Sequence, residues 1–200
     1  WRADRGKGRS SYSTPLVIEG TFGAELIVNS SERLDAYDPR TGKEVWTATV
    51  ADNKAAYYIS LAPLVANGKV MVGTSGGEYG VRGYFDAYDA ETGKRAWRFY
   101  TVPGDPSKPV EQPELADWAK TWSGEWWKIG GGGPVWNGMA YDPESDIVYV
   151  GTGQPGPWTS MHRGKGDNLF AASIVASSRF GGRLVGPPAG ASLAARMRST

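Results

Sequence analysis

Residues 73–83 read Gly-Thr-Ser-Gly-Gly-Glu-Tyr-Gly-Val-Arg-Gly, five glycines around a single carboxylate, Glu78. The loop follows a strand-like run, Lys69-Val70-Met71-Val72. Glycine lets a backbone turn sharply and lets a ligand reach main-chain N–H groups with no side chain between. One acid held in such a loop suits a cation or an anionic cofactor. The same residues also suit a plain glycine-rich hairpin carrying a solvated glutamate. A second glycine-rich loop, Gly151-Thr152-Gly153-Gln154-Pro155-Gly156-Pro157-Trp158, follows another strand-like run, Ile147-Val148-Tyr149-Val150.

The elements that must position these loops show themselves as an internal repeat. Leu34-Asp35-Ala36-Tyr37-Asp38-Pro39-Arg40-Thr41-Gly42-Lys43-Glu44-Val45-Trp46 returns as Phe85-Asp86-Ala87-Tyr88-Asp89-Ala90-Glu91-Thr92-Gly93-Lys94-Arg95-Ala96-Trp97. Each copy is preceded by a Pro-Leu-Val opener, at Pro15 and Pro63, and by a second apolar run. Asp-x-x-Thr-Gly is hairpin-turn chemistry: Asp bonds the backbone ahead of it and Gly supplies φ > 0. Flanking runs that alternate apolar and polar are half-buried strands. Units of about four short antiparallel strands, repeated every ~40–50 residues, predict an all-β fold, a β-propeller fragment of about three to four blades. The tryptophan closing each unit is too large for one small sheet and is expected to dock between neighbouring blades. A third unit is expected to open at Gly133-Pro134-Val135-Trp136.

Residues 101–132 interrupt the pattern. The Pro-rich part, 101–113, reads as an excursion over the surface. Leu115 to Lys128, with Trp118, Trp122, Trp126 and Trp127, predicts a short helical insertion near 114–128. From residue 177 onward Ser, Arg, Gly, Ala and Pro make up 18 of 24 residues, and no acid follows Asp167. Such a composition is what a slipped GC-rich reading frame gives. The expected organisation is a partial propeller over 1–176 and an aberrant, frameshifted or truncated tail over 177–200, the alternative being a disordered linker.

Composition bounds the function class. Glycine is 28 of 200 residues, about twice the usual ~7 %, which with nine tryptophans favours a turn-rich β protein. A formal net charge of +1 and no basic stripe interleaved with aromatics argue against nucleic acid as partner. No apolar run reaches the ~18 residues of a membrane-spanning helix. The chain begins at Trp1, mid-pattern, and reads as part of something longer.

The Ala-x-Asp-x-x-Thr-Gly-Lys-x-x-Trp repeats, with Ser75-Gly76-Gly77-Glu78-Tyr79-Gly80-Val81-Arg82-Gly83 and Trp97-Arg98-Phe99-Tyr100-Thr101-Val102-Pro103-Gly104, resemble the quinoprotein alcohol dehydrogenases. These are eight-bladed propellers that bind pyrroloquinoline quinone (PQQ) and calcium. By that resemblance Glu78 matches a calcium-ligating carboxylate. Ser75, Gly76 and Gly77 match contacts to the quinone's carboxylates, and Ser60 takes the place of a cofactor-contacting Thr. Trp136 matches the indole floor beneath the planar ring. Gln154 stands where the family usually has a second, Asn, metal ligand, and Pro134 where relatives often carry Thr. The resemblance implies oxidation of a primary alcohol to an aldehyde in the periplasm, with a c-type cytochrome as electron acceptor. Some relatives use a lanthanide in place of calcium. The family's catalytic Asp lies beyond the matched stretch, so no catalytic residue is assigned, and His162 and Arg163 are no substitutes for it. The rival expectation is a non-enzymatic propeller scaffold for protein assembly.

Overall fold

The turns carry the repeat into three dimensions. In the computed structural model, which describes residues 1–5, 11, 13–20, 23–178 and 183–184, Asp38 Oδ1 accepts the amide of Arg40 at 2.8 Å. The amide of Gly42 closes back to the Asp38 carbonyl at 2.8 Å. Asp89, Thr92 and Gly93 repeat the arrangement, with Gly42 at φ +73° and Gly93 at φ +66°. Each turn therefore closes a hairpin by the side-chain and left-handed chemistry that its residues dictate.

Among the described residues, twelve strands form three four-stranded antiparallel meanders. The first contains β1 (Leu16–Gly20), β2 (Gly23–Asn29), β3 (Arg33–Tyr37) and β4 (Glu44–Thr49). In the second lie β5 (Leu64–Ala66), β6 (Lys69–Gly73), β7 (Tyr84–Asp89) and β8 (Arg95–Tyr100). The third is built from β9 (Ala140–Asp142), β10 (Ile147–Gly151), β11 (Ile174–Ser178) and β12 (Arg183–Leu184). The third sheet opens at Ala140, not at residues 133–136, which run as irregular backbone into it. Within the stretch expected to be an aberrant tail, Ser177 pairs with Leu184 and Ser178 with Arg183 as neighbouring antiparallel strands. The rest of the tail expectation, 179–182 and 185–200, lies outside the described residues.

The sheets pack face to face through their apolar sides. Ile27, Leu34, Ala36, Val70, Val72 and Tyr88 form one layer between the first and second blades. Met71, Phe85, Phe99, Val148, Val150 and Val175 form the next, between the second and third. Trp46 docks as its size demands: it is buried, and its indole N–H donates to the Ala90 carbonyl of the next blade at 2.8 Å. A Cβ at Gly93 would lie 2.6 Å from the Trp46 ring, so the turn glycine is also the seat of the tryptophan. Trp1 treats the first blade the same way, donating to Pro39 O at 2.7 Å over Gly42. The repeat's buried aspartates are both neutralised: Asp35 by Arg5, and Asp86 by a two-pronged contact from Arg98 at 2.7 Å.

The insertion differs from its expected form. Helix α1 spans only Glu114–Ala119, and a separate 3-10 turn covers Trp126–Ile129. Gly124, at φ +70°, stands between them in a conformation no α-helix contains. Nor is 101–113 wholly a surface excursion. Thr101, Val102 and Pro103 are buried, and only from Gly104 does the chain reach solvent. Leu115 and Trp118 then return to the core, with Trp118 stacked edge-on against Phe170 at 4.6 Å.

Candidate cofactor and metal site

Two loops leave the ends of equivalent strands. The first follows β6 and carries Ser75 to Glu78; the second follows β10 and carries Gln154. Pro134 lies between them. A Cβ on Gly77 would sit 2.8 Å from the Pro134 ring, and one on Gly153 would sit 2.9 Å from it. Both glycines are required by this close approach from opposite sides, and the Gly153 amide donates to Pro134 O at 2.7 Å.

The four-glycine run 130–133 ties the same two loops through main chain. Gly83 N donates to Gly132 O and Gly132 N to Val81 O, joining the run to the Glu78 loop. Gly133 N donates to Gln154 O and Gly156 N to Gly131 O, joining it to the other. All four glycines have φ between 66° and 77°. In the sequence this run spans the end of the interruption and the first residue of the expected third unit; four consecutive glycines are a signal for closely approaching backbones.

Segment 56–60 braces the Glu78 loop from below. The Ser75 amide donates to Tyr58 O at 2.7 Å, and a Cβ on Gly76 would lie 2.3 Å from Ala56 O. Tyr57 and Tyr58 then grip the loop at both ends. The Tyr57 hydroxyl donates to Arg82 O at 3.0 Å, and the Tyr58 hydroxyl donates to Glu78 Oε1 at 2.6 Å. Burial, together with the bond to Glu78, pushes the Tyr58 phenol up to about 12. Arg82 anchors the far end, bidentate to Glu111 at 2.6 and 3.0 Å and stacked 3.8 Å over the Tyr100 ring.

The result is one cleft of about 530 Å³ lined by Tyr58, Ser60, Ser75, Gly76, Gly77, Glu78, Pro134, Trp136, Gln154 and Trp158. All seven residues singled out from the sequence (Ser60, Ser75, Gly76, Gly77, Glu78, Trp136 and Gln154) are brought together there. Ser60 and Ser75 share a hydrogen bond at 2.6 Å between their hydroxyls. Trp136 leaves 51 % of its surface open and Trp158 65 %, so two large indoles face the cleft without a protein partner that buries them. Tyr58 and Trp158 are the lining residues that sequence reasoning missed. His162 lies on the short α2 (Ser160–Arg163), exposed, its Nδ1 paired with the Thr159 hydroxyl at 2.8 Å.

The donor set fits a planar anionic cofactor held with a cation. Of the lining residues only Glu78 bears formal charge, and that charge is negative. An anionic ligand entering beside it needs a cation to offset both charges. Glu78 and Gln154 supply side-chain oxygens of the kind hard cations take, although calcium's ~6–8 ligands exceed what these two provide. The described residues contain no cluster of three or more acids, histidines or cysteines that would hold a metal by itself. The volume lies in the ~300–1,000 Å³ range of small-molecule sites, and an open indole face suits a flat conjugated ring.

A family model described as "Glucose/ethanol/alcohol dehydrogenase, beta-propeller domain" and named PQQ matches residues 48–185. The chain belongs to the PQQ-dependent alcohol dehydrogenase family. It is 56 % identical over 159 residues to quinohemoprotein alcohol dehydrogenase ADH IIB of Pseudomonas putida, covering 78 % of this chain and 23 % of that protein. Among solved structures, the quinohemoprotein alcohol dehydrogenase ADH-IIG of Pseudomonas putida superposes with a TM-score of 0.76 at 49 % identity, covering 80 % of this chain and 24 % of that one. A europium-containing methanol dehydrogenase superposes with a TM-score of 0.70 at 36 % identity, over 80 % of this chain and 29 % of that one. This chain thus spans about a quarter of the length of the curated relatives it matches. No helix among the described residues is long and apolar enough to cross a membrane.

Proposed function

We propose that these blades supply one wall of a quinoprotein dehydrogenase site that oxidises primary alcohols to aldehydes, with PQQ and calcium as cofactors. The observation that carries the reading is convergence: seven residues from four separate stretches of sequence line one cleft. Ser60, Ser75 and the main chain at Gly76 and Gly77 would meet the quinone's carboxylates, and Trp136 its ring face. Glu78 and Gln154 would hold the cation. When bound, the quinone accepts hydride equivalents and the cation acts as a Lewis acid. This chain's own residues bind and orient the cofactor; the proton-accepting base is supplied from outside it.

The electron acceptor is a haem group or c-type cytochrome, in keeping with relatives that are themselves named quinohemoproteins, and the compartment is the periplasm. A lanthanide is the alternative cation. A pure scaffold has no use for a rigidly braced Glu78 beside two open indoles, so the observations favour the dehydrogenase. The test is calorimetric titration of the full-length protein with PQQ and calcium. Saturable, mutually dependent binding is expected, and its absence would favour the scaffold. The 200-residue chain alone, lacking the base, is expected to show no dye-linked alcohol oxidation.

A further inference from the structure

The Glu78 carboxylate is held by a neighbour that no sequence motif announced. Tyr58 Oη lies 2.6 Å from Glu78 Oε1, within the range of a hydroxyl bonded to a charged carboxylate. Both residues sit on fixed backbone. Tyr58 and Ser75 form an antiparallel bridge, and Glu78 occupies a 3-10 turn, Gly77–Tyr79, closed by Tyr79 N donating to Gly76 O at 2.8 Å. The Tyr58 ring is half-buried and stands 6.5 Å from that of Tyr79.

The choice of donor matters. Glu78 is exposed, and an exposed glutamate ordinarily samples several rotamers. A lysine or arginine could fix it equally well, but would place a positive charge where a cation is to bind. A phenol fixes one carboxylate oxygen without adding charge and leaves the other for a ligand. We propose that Tyr58 is a positioning residue that presets Glu78 for cation ligation. This role rests on the functional reading above, in which Glu78 is a metal ligand.

Partners of a ligating side chain commonly govern metal affinity by ~10–100-fold. In the full-length protein loaded with PQQ, Tyr58→Phe should therefore raise the calcium dissociation constant by about 10–100-fold in a calcium chloride titration. Thermal unfolding of the metal-free protein should stay unchanged, because the ring and its packing remain. Tyr79→Phe, in the same turn but not bonded to Glu78, should leave calcium affinity unchanged. In a Glu78→Gln background, Tyr58→Phe should have little further effect, since the phenol acts through the carboxylate. Equal or tighter calcium binding by Tyr58→Phe, an undiminished effect in the Glu78→Gln background, or a matching loss in Tyr79→Phe would overturn the role. A wild-type protein that takes up no calcium would remove the cation site, and with it both this role and the reading beneath it.

Discussion

Replacing Gly153 by alanine tests whether Pro134 is the spacer that sets the two loops of the cleft. The new Cβ would lie 2.9 Å from Pro134 Cδ and Cγ and 3.1 Å from its carbonyl oxygen. Carbon atoms rest at ~3.5 Å or more, so the loops must part by roughly 0.6 Å. The obstacle is a rigid ring, not the tip of a flexible side chain, and Pro134 O is already bonded to the Gly153 amide at 2.7 Å. Overpacking of this kind typically costs ~1–3 kcal/mol. Gly153 has no positive φ, so the clash, not backbone strain, is the cause. The displacement carries Gln154, the proposed second ligand, away from Glu78 by more than the ~0.2 Å within which ligand distances in a metal site are expected to fall. Calcium affinity of the full-length protein should therefore fall on the order of tenfold or more. Gly151→Ala is the internal control: it lies two residues earlier, and its Cβ would meet nothing within 4 Å. Urea unfolding and calcium titration of the two variants give the comparison. A Gly153→Ala protein matching Gly151→Ala in both would refute the spacer argument.

Two further outcomes follow from the packing that holds the loops. Trp46→Ala removes the plug between the first two blades and should lower the stability of the unfolding unit by ~3–5 kcal/mol, read from urea midpoints; Trp46→Phe, which loses the bond to Ala90 O and part of the ring volume, should cost less, about 1–3 kcal/mol. The Arg82 fork holds the Glu111 carboxyl below the usual glutamate range. A carboxylate lowered in the folded state adds stability that is fully present above its unfolded value and is lost as pH falls through the folded one. Glu111→Gln should therefore flatten the acid side of the stability–pH curve and leave its alkaline side unchanged, as measured by urea midpoints across a pH series.

What the sequence made legible was whatever depends on local chemistry. Asp38 and Gly42 specify their turn through bonds made within five residues, so the hairpin, its repeat at Asp89 and the docking of Trp46 could all be read from spacing. Glu78 was conspicuous as the one acid among glycines. The rest depends on contacts between distant segments. Nothing in the neighbourhood of Tyr58 says that its hydroxyl meets a residue twenty positions away. The glycine run at 130–133 signals close backbone approach, but not which loops from which blades it laces together. Residues 133–136 read as the opening of a third unit, as Pro15 and Pro63 open the first two, yet the close approach to Gly77 and Gly153 holds them as irregular backbone. The helix expected to reach Lys128 stops at Ala119, and it does not resume through Gly124, which is left-handed; Trp126 is held elsewhere, its indole N–H donating to Pro103 O at 2.9 Å. The cleft is thus positioned less by the strands that lead into it than by glycines and one proline packed between them. Those are residues whose role lies in what they leave out, and absence of a side chain acquires meaning only once its neighbours are in place.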